Sequence, residues 1–462
     1  MNSRVSDLRA NLAVRIIRDL RAHGHQAYLV GGCVRDRLLG IPPKDYDVST
    51  DAPSDTLLSY FPHSDHVGAH FGVVLVREAE GVEVEVATFR TEGGYSDGRR
   101  PDYVRFETDP KRDAERRDFT INGLMEDPVS GEILDFVGGR ADLVNGVVRA
   151  IGDPHLRFEE DHLRMLRAVR FAARLGFSID PATLAAIRSQ APAISRISAE
   201  RVREELTRIL TEGQARRGFE LLDETNLLGH LLPEVKAFQG TEQPPEFHPE
   251  GDVWAHILLM LAQMGHPSST LAWGVLLHDV GKPPTFRVAE RIRFDGHAEV
   301  GAQMTSGIME RLRFSNDASE HVTSLVANHM RFKDVLQMRP STLKRLMRLP
   351  RFEEHLELHR LDCLASNGYR ATYEFLREQM TKLREEDLRP PRLITGNDLI
   401  SAGYAPGKDF GRVLEAVETA QLEGALRTHD EAMSFAEAFL RRAASETSET
   451  DSTRSTRPND VS

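Results

Sequence analysis

The stretch YLVGGCVRDRLLGIPPKDYDVST, residues 28–50, constrains the fold of its surroundings more than any other segment of the chain. An apolar strand pattern ends at Gly31 and Gly32, a short helical pattern follows, and Asp45 and Asp47 open the next extended segment. A strand, a glycine turn and a helix in this order are typical of an α/β unit. Short apolar segments such as FGVVLV and VEVEVATF follow between turns, so we predict an α/β domain here.

Downstream of this domain the sequence changes to helical periodicity. The segment EEDHLRMLRAVRFAARLGF predicts one long helix that stops at Gly176, a residue type common at helix C-termini. The segment GTEQPPEFHPEGD, residues 240–252, is rich in proline, glycine and acidic residues and predicts a hinge. We predict an α+β multidomain protein with these parts: an α/β head (1–150), an all-helical neck (151–240), a helical domain that carries several histidines (241–370), a helical tail (371–443) and a disordered C-terminal segment (444–462).

Composition excludes some classes of protein and leaves others open. No apolar run approaches the roughly 18 residues that cross a bilayer, so we expect no membrane partner. The only cysteines, Cys33 and Cys363, do not make a disulfide framework, and we therefore expect a protein of the reducing cytoplasm. The net charge of −12 mildly disfavours a nucleic-acid partner, but the basic segments DGRRPDYVRF, KRDAERRDF and RMLRAVRFAAR can form a local positive groove.

The two aspartates of KDYDV predict a cation site. Residues i and i+2 of a strand share a face, so Asp45 and Asp47 would project together and repel each other unless a cation lies between them. Mg²⁺ prefers such oxygen ligands together with substrate phosphates. A third carboxylate can come from VEVEVATFR, where Glu83 and Glu85 alternate with valines. Taken alone, the short Asp-x-Asp pattern is more typical of a solvated turn.

The residues before the aspartates favour a bound anion. Gly31 and Gly32 allow the backbone to approach a ligand and leave amide protons at the start of the next helix. Arg35, one turn into that helix, can donate two hydrogen bonds to phosphate oxygens. A phosphate-binding turn beside a pair of magnesium ligands predicts phosphoryl or nucleotidyl transfer.

A family resemblance combines these segments. In order and spacing the chain resembles the class II tRNA nucleotidyltransferases, which are CCA-adding enzymes, and the related bacterial poly(A) polymerases. The segments that carry the resemblance are LVGGCVRDRLLG…KDYDV, EVATFR, YSDGRRPDYVRF, RRDFTINGL and RFEEDHLRMLRAVRFAARLGF. The resemblance implies a polymerase-β-like nucleotidyltransferase head followed by a helical neck and further helical domains. It implies these catalytic and nucleotide-binding residues: Asp45 and Asp47 as Mg²⁺ ligands, Glu85 as a third carboxylate, and Gly31, Gly32, Arg35 and Arg117 as nucleotide contacts.

A second cluster of charged residues, Asp161, Arg164, Arg167 and Arg170, follows in the neck. Cytosine and adenine both present an amino group that a carboxylate can accept, whereas uracil and guanine present a carbonyl there. The resemblance assigns base pairing to Asp161 and Arg164, and nucleotide contacts to Arg167 and Arg170. The alternative is a neck helix with surface ion pairs. Between the head motifs, TEGGYSDGRRPDYVRF matches the family's flexible loop for the change from C to A; its alternative is a plain surface hairpin.

Histidines in the third predicted domain indicate another metal site. Imidazoles and carboxylates from several helices suit a divalent transition metal that polarises water. The segments HDVGKP, GHAEVGA, NHM and LDCLAS resemble HD-superfamily phosphohydrolases. The resemblance implies a second divalent metal with these ligands: His256, His278, Asp279, His297, His329 and Asp362. His248 is left with the linker. Such domains either hydrolyse phosphoesters or serve as structure, and a histidine taken singly is usually a core residue.

The resemblance therefore implies a Mg²⁺-dependent enzyme that adds CMP and AMP, from CTP and ATP, to the 3′ end of tRNA. Two alternatives stay open: a poly(A) polymerase or A-only enzyme, and, more distantly, an HD phosphohydrolase whose head only binds RNA. We expect a tRNA substrate rather than arbitrary RNA tails, because the C-terminal segment lacks a basic extension.

Overall fold

A computed structural model describes residues 2–67, 72–78, 81–94, 103–246, 248–366 and 368–454. It contains two compact units, Met1–Thr323 and Ser324–Ser462, which we describe separately. The division falls inside a helix and not at the segment 240–252 that we predicted to be a hinge. In the described part of the chain, no helix is long and apolar enough to cross a membrane.

The head is an α/β layer at the start of the first unit. Its elements are α1 (Asn2–Ala22), β1 (Ala27–Val30), α2 (Gly32–Leu38), β2 (Asp47–Thr50), α3 (Ser54–Tyr60), β3 (Ser64–His66), β4 (Val73–Arg77), β5 (Glu83–Thr88), β6 (Arg90–Gly93), β7 (Tyr103–Phe106), α4 (Pro110–Glu115), a 3₁₀ turn (Thr120–Asn122), β8 (Met125–Glu126), β9 (Ile133–Leu134), α5 (Gly139–Asn145) and β10 (Val147–Val148). Among the described residues, seven strands form one mixed sheet in the order β3-β4-β5-β2-β1-β8-β9. Strands β2 and β5 are parallel, and the other neighbours are antiparallel.

Helix α1 covers one face of this sheet. Its apolar residues Leu12, Ile16 and Leu20 recur every fourth position and are buried, with Ile16 and Leu20 at 1% and 0% exposure. They pack toward β1, β2 and β5, whose inward residues are also apolar. Each such side chain contributes roughly 1.5–3 kcal/mol when it leaves water. This packing fixes the central strands that carry the acidic residues.

The neck is helical, as predicted. Its elements are α6 (Pro154–Glu160), α7 (Leu163–Leu175), β11 (Ser178–Ile179), α8 (Pro181–Gln190), a 3₁₀ helix (Ala191–Arg196), α9 (Ala199–Thr211), α10 (Ala215–Glu224), α11 (Leu227–Leu231) and α12 (Pro233–Lys236). The predicted long helix is in fact two helices, because Asp161 is extended at φ −150° and ψ 104°. Its carboxylate accepts a hydrogen bond from the Leu163 amide at 3.0 Å and so starts α7. The predicted stop is confirmed, since Gly176 has φ 69° and ends α7.

The rest of the first unit packs directly on the neck. Its elements are α13 (Val253–Gln263), α14 (Ser269–Leu277), α15 (Lys282–Thr285), β12 (Arg287–Val288), β13 (Ile292–Arg293), α16 (His297–Arg311) and the first part of α17 (Asn316–Asn328). Helix α14 contacts α9, where the fully buried Trp273 donates a hydrogen bond to Thr207 Oγ1 at 3.0 Å. Asp252 starts α13 by accepting from the Ala255 amide and also accepts from the Gly240 amide, each at 2.8 Å. These hydrogen bonds join the two ends of the segment 240–252 to each other and to the start of α13.

The second unit is helical throughout its described residues. After α17 its elements are a 3₁₀ helix (His329–Gln337), α18 (Pro340–Met347), α19 (Phe352–Ala365), α20 (Ala371–Lys382), α21 (Glu385–Leu388), α22 (Gly396–Ser401), α23 (Lys408–Leu422) and α24 (His429–Arg454). Two apolar clusters hold it together, one around Phe332 and Leu346 and one around Leu399 and Val413. The backbone of α24 stays helical to Arg454, inside the segment predicted to be disordered. Residues 455–462 lie outside the described part.

Candidate active site

A cavity of about 500 Å³ opens between the head and the neck, within the first unit. We call it the head–neck cavity. Most of the residues that the sequence singled out line it: Gly31, Gly32, Arg35, Asp47, Arg117, Asp161, Arg164, Arg167 and Arg170. Asp45 and Glu85 do not line it. Residues from two domains, up to 139 positions apart in sequence, thus meet at one place.

Two acidic residues lie side by side at the edge of the cavity. Asp47 on β2 is the direct partner of Glu85 on the parallel strand β5. Burial and, to a smaller extent, the neighbouring Glu85 carboxylate raise the pKa of Asp47 to about 6, although Arg117 opposes the change. Two adjacent carboxylates on one side of a sheet repel each other, so this donor set suits a divalent cation with oxygen ligands.

Asp45 has a different environment from the one predicted. Strand β2 begins at Asp47, so the two aspartates are not two residues of one strand. The Asp45 side chain is 76% exposed, and its Oδ1 accepts from Arg9 Nη1 at 2.9 Å. Asp45 therefore precedes the strand and is paired with Arg9, although its charge still contributes to raising the pKa of Asp47. That the two carboxylates share one cation stays a prediction.

A glycine turn lets the backbone approach the acidic pair. Gly31 precedes α2 with φ 71°, which L side chains rarely adopt. A Cβ at this position would lie 3.1 Å from Arg117 Nη1 and 4.0 Å from Asp47 Oδ2. Glycine is required here both by conformation and by the closeness of these two charged groups.

Arg35 forms part of the cavity wall, and its guanidinium is bonded to neighbouring side chains. It is only 2% exposed, and it donates to Asp36 Oδ1 and, at 2.7 Å, to Asn122 Oδ1. Its guanidinium also lies 4.9 Å from the centre of the Phe171 ring. Burial lowers the pKa of Arg35, and Asp36 opposes that change. Arg35 lines the cavity, and its role as a nucleotide contact stays a prediction. Its burial and its partners could not be read from the helix pattern.

Arg117 belongs to a chain of ion pairs along the head side of the cavity. Its Nη2 donates to Asp113 Oδ2 at 3.0 Å and to Ser49 Oγ at 3.2 Å. Arg116 also pairs with Asp113, at 2.7 Å, and approaches Glu92 at 3.5 Å. Arg116 lies in the basic segment KRDAERRDF, so the charge pattern of that segment could have indicated that Arg116 lines the cavity. Strands β6 and β7 pair as a hairpin, but residues 95–102 between them lie outside the described residues, and the flexible-loop role stays a prediction.

On the neck side, Asp161 is held by an arginine that sequence reasoning missed. Arg201 of α9 donates to both Asp161 carboxylate oxygens, at 3.1 and 2.7 Å. Arg164 pairs with Glu160 and donates to the Arg157 carbonyl at 2.9 Å. Asp161 and Arg164 both face the cavity, although they do not share a helix.

The next two arginines of α7 are paired with carboxylates from elsewhere in the fold. Arg167 binds Asp118 at 2.7 Å, and the 4% exposed Arg170 binds Glu205 at 2.6 Å. Burial alone would raise the pKa of Asp118, but Arg167 and the Asn122 amide lower it to about 2. Ion pairs with Asp118 and Glu205 therefore hold these two arginines in the cavity wall. The wall as a whole carries nine arginines and four carboxylates, so it attracts an anion.

Four of the predicted metal ligands, His256, His278, Asp279 and His297, gather in the first unit; we call them the histidine cluster. His278 and His297 donate from Nδ1 to the carbonyls of residues 275 and 294, at 2.9 and 2.8 Å. Their Nε2 atoms lie 3.2 and 3.7 Å from the Asp279 carboxylate. Burial lowers the pKa of His297, which keeps that imidazole neutral and able to bind a metal. Lys282 Nζ lies 2.7 Å from Asp279 Oδ2.

Further groups from the predicted hinge complete this cluster. Glu250 Oε1 lies 2.7 Å from His256 Nδ1 and 2.8 Å from His248 Nδ1. Burial would raise the pKa of Glu250, but the hydrogen bonds from both histidines bring it down to about 2. Gln243 accepts from Lys282 Nζ at 2.6 Å. Sequence reasoning missed Gln243 and Glu250 because their segment has the composition of a loop.

The last two predicted ligands belong to the second unit. His329 is buried at the start of its 3₁₀ helix and donates from Nδ1 to the Val326 carbonyl at 2.6 Å. Asp362 lies on α19 and is half-buried. The orientation of His329 therefore follows the same rule as that of His278.

Comparison with known proteins identifies each of these regions. Three family models match: "Poly A polymerase head domain" over residues 27–149, "Probable RNA and SrmB- binding site of polymerase A" over residues 176–239, and "HD domain" over residues 252–359. The first contains the acidic pair, and the third contains the histidine cluster and His329.

Relatives of similar length share nearly the whole chain. The CCA-adding enzyme of Enterococcus faecalis is 33% identical over 426 residues, which cover 92% of this chain and 95% of that protein. The crystal structure of the Bacillus stearothermophilus CCA-adding enzyme in complex with CTP matches with a TM-score of 0.72 and 28% identity, covering 94% of this chain and 98% of that one. The fold is also that of the Thermotoga maritima CCA-adding enzyme complexed with tRNA, at a TM-score of 0.58 and 21% identity. The chain therefore belongs to the CCA-adding enzyme family.

Proposed function

We propose that this nucleotidyltransferase rebuilds the CCA end of tRNA by adding CMP and AMP, from CTP and ATP, without a nucleic-acid template. The observation that carries this proposal is the head–neck cavity, where the acidic Asp47, the basic Arg117 and Asp161, the candidate for reading the base, face one space. One nucleoside triphosphate offers a partner for each of the three. Its phosphates can share a metal ion with Asp47 and bind Arg117, and its base edge can bind Asp161.

The acidic residues of the head fit Mg²⁺. Asp47 and Glu85 are adjacent partners on parallel strands, and Asp45 precedes Asp47 by two residues. When bound there, Mg²⁺ would neutralise charge on the triphosphate and lower the pKa of the attacking 3′-hydroxyl. The chain's own part is to hold these carboxylates in place, and Asp45 must leave Arg9 to join them.

The phosphates are expected on the arginine side of the cavity. The positive-φ turn at Gly31 brings backbone close to Arg117, and Arg116 extends the same chain of guanidinium groups. In-line attack by the RNA 3′-hydroxyl forms the new phosphodiester bond and releases pyrophosphate. Arginines fixed by Asp113 can receive the developing charge with little reorganisation.

The neck is proposed to choose the base. Asp161 accepts from the amino group of cytosine or adenine, and Arg164 donates to the neighbouring ring nitrogen. Uracil and guanine would place a carbonyl oxygen against the Asp161 carboxylate and be repelled. Arg201 supports this role because its two hydrogen bonds fix the plane of that carboxylate.

Extension of tRNA transcripts tests the proposal. Transcripts that lack CCA, CA or A would be incubated with Mg²⁺ and with CTP and ATP supplied separately. We expect CTP alone to add two C residues to the transcript that lacks CCA and one C to the transcript that lacks CA. We expect ATP alone to extend the transcript that lacks only A. ATP runs on any RNA would indicate the poly(A) polymerase alternative, and incorporation of ATP alone would indicate an A-only enzyme.

A second activity is proposed for the histidine cluster. The observation that favours it is the common arrangement of His278 and His297, whose Nε2 atoms both approach Asp279. With His256, and with His329 and Asp362 assigned by resemblance, these residues suit a divalent transition metal and a metal-dependent phosphohydrolase. Hydrolysis of a phosphodiester such as bis-p-nitrophenyl phosphate, compared between the wild type and the His278→Ala, Asp279→Ala double variant, tests it.

The same observations support the domain assignment. We propose that residues 1–150 carry the chemistry, residues 151–240 select the base and bind RNA, residues 241–370 form the HD domain, and residues 371–443 form a further helical RNA-binding tail. The ranges of the three family matches fall inside the first three of these.

A further inference from the structure

We propose that Glu250 is a positioning residue for the metal of the HD domain, acting through His256. Glu250 holds His256 in the tautomer whose Nδ1 carries the proton, and so leaves Nε2 as the metal ligand. His248 is the outer member of this arrangement. The inference rests on the proposed metal site and adds two residues that the predicted ligand set did not contain.

The geometry shows a carboxylate shared between two imidazoles. Glu250 Oε1 lies 2.7 Å from His256 Nδ1 and 2.8 Å from His248 Nδ1, and the two rings are perpendicular with centroids 5.1 Å apart. His256 is completely buried and the Glu250 side chain is 5% exposed. A buried imidazole with its Nδ1 hydrogen-bonded to a carboxylate is the arrangement by which proteins orient metal-binding histidines.

The acceptor that binds Nδ1 distinguishes His256 from the other histidines. His278 follows the last residue of α14, His297 begins α16, and His329 begins a 3₁₀ helix; each donates from Nδ1 to the carbonyl three residues before it. His256 lies in the first turn of α13, and its Nδ1 has the Glu250 carboxylate as partner. Glu250, which precedes α13, accepts the hydrogen bond from the Nδ1 of His256. Backbone carbonyls accept the corresponding bond from the other three histidines.

The preceding segment is shaped to place this carboxylate. Gly251 has φ 121°, a conformation that an L residue rarely adopts, and it separates Glu250 from Asp252. Asp252 starts α13 and accepts from the Gly240 amide. Both anchors lie within the segment predicted as a hinge. The turn between them therefore directs Glu250 toward the first turn of α13 and the His256 ring.

Metal affinity and histidine tautomers test the inference on the full-length protein. Asp47→Asn would be present in every sample so that the head does not contribute a Co²⁺ site. Glu250→Gln removes the charge with the shape retained, Glu250→Ala removes the acceptor, and Glu246→Gln changes an exposed carboxylate four residues away. Co²⁺ would be titrated and followed by its visible absorption, and the protonated nitrogen of His256 would be identified by ¹⁵N NMR in the metal-free protein.

We expect the Glu250 variants to bind Co²⁺ about 10–100-fold more weakly with unchanged stoichiometry, and Glu246→Gln to match its parent. We also expect the Nδ1–H tautomer of His256 in the parent and its loss in Glu250→Ala. Unchanged affinity in both Glu250 variants would overturn the inference and leave the metal site standing. Loss of one Co²⁺ equivalent would overturn it as well, because Glu250 would then be a direct ligand. Absence of Co²⁺ binding in the parent would refute the metal site itself, and the tautomer measurement would still judge the link between Glu250 and His256.

Discussion

Asp47 on β2 and Glu85 on β5 occupy the same level of two parallel strands, so their carboxylates are direct neighbours on one side of the sheet. Their closeness raises the pKa of Asp47, on top of the effect of its burial, and Arg117 offsets this only in part. Proteins keep such pairs where a cation neutralises them. The parallel pairing in the middle of the head sheet is therefore the feature that builds the acidic side of the site.

We predict that Glu85→Gln lowers nucleotide addition at least about a hundredfold, which corresponds to roughly 2.7 kcal/mol of transition-state stabilisation. The amide has the shape of the carboxylate but cannot supply its charge to a cation beside Asp47. Glu83→Gln is the matched control, since Glu83 lies two residues earlier on β5 and pairs with Arg77. Steady-state incorporation of CMP at several Mg²⁺ concentrations provides the measurement. Equal activities of the two variants would remove Glu85 from the site.

A second prediction concerns the pH dependence of stability. The pKa of Asp118 is about 2 in the folded protein, below its ordinary value of 3.8. A depressed carboxyl pKa stabilises the fold above the ordinary value, by roughly 2 kcal/mol here, and the contribution declines as pH falls toward the folded value. We expect Asp118→Asn to lower the melting temperature most at pH 7, with a difference from the wild type that shrinks by about half near pH 3.

The exposed Asp55 provides the control for this experiment. Asp55→Asn changes one acid to an amide in the first turn of α3, without a buried arginine partner, and should shift the melting temperature little at any pH. If the loss caused by Asp118→Asn is the same at pH 7 and at pH 3, the ion pair with Arg167 does not stabilise the fold in the way proposed.

Local patterns in the sequence predicted part of this site. The alternation of VEVEVATFR placed Glu85 on a strand face, and the glycine at position 176 placed the end of a helix. The break at Asp161 was missed, because helical residues continue on both sides and the carboxylate's partner, Arg201, is 40 positions away. Residues whose roles depend on distant partners leave no periodic signal.

Composition described the segment 240–252 only in part, because a few specific hydrogen bonds hold it. Proline, glycine and acidic residues made 240–252 resemble a hinge, yet Asp252 fixes one end and Glu250 joins the histidine cluster. Loop composition indicates only that regular secondary structure is absent. It does not report whether side chains of the loop are bound by groups that come from elsewhere in the chain.

A third prediction tests the packing of α14 on the neck. Trp273→Phe and Thr207→Val each remove one end of the hydrogen bond between these helices. Thr207→Val should lower the free energy of unfolding by about 1 kcal/mol, and Trp273→Phe should lower it by more, because the smaller ring also leaves a cavity at a fully buried position. The double variant should cost less than the sum, since both single changes remove the same bond. Trp254→Phe, at the half-buried second tryptophan, is the control and should be additive with Thr207→Val. Full additivity of Trp273→Phe with Thr207→Val would show that the hydrogen bond contributes nothing.

The last prediction concerns two arginines on α9 whose side chains contact different parts of the first unit. Arg201 binds both oxygens of Asp161, whereas Arg203 donates to the Arg313 carbonyl and lies 5.5 Å from the Phe314 ring. We predict that Arg201→Ala reduces the preference for CTP and ATP over UTP and GTP by about tenfold to a hundredfold, since an unrestrained Asp161 no longer holds its acceptor toward the base. Arg201→Lys should show an intermediate loss of preference, because an ammonium keeps the charge but cannot make the paired hydrogen bonds of a guanidinium to both carboxylate oxygens.

Arg203→Ala separates this effect from simple loss of stability. It removes an arginine from the same helix and a contact to the HD side of the first unit, so it should lower the melting temperature and leave nucleotide preference unchanged. Incorporation of all four nucleotides into tRNA lacking CCA, measured beside thermal melting of each variant, distinguishes the two arginines. A normal preference in Arg201→Ala, at a temperature where the variant is folded, would show that Asp161 selects the base without help from α9, or does not select it at all. A relaxed preference in Arg201→Ala alone would place Arg201 among the residues that set specificity.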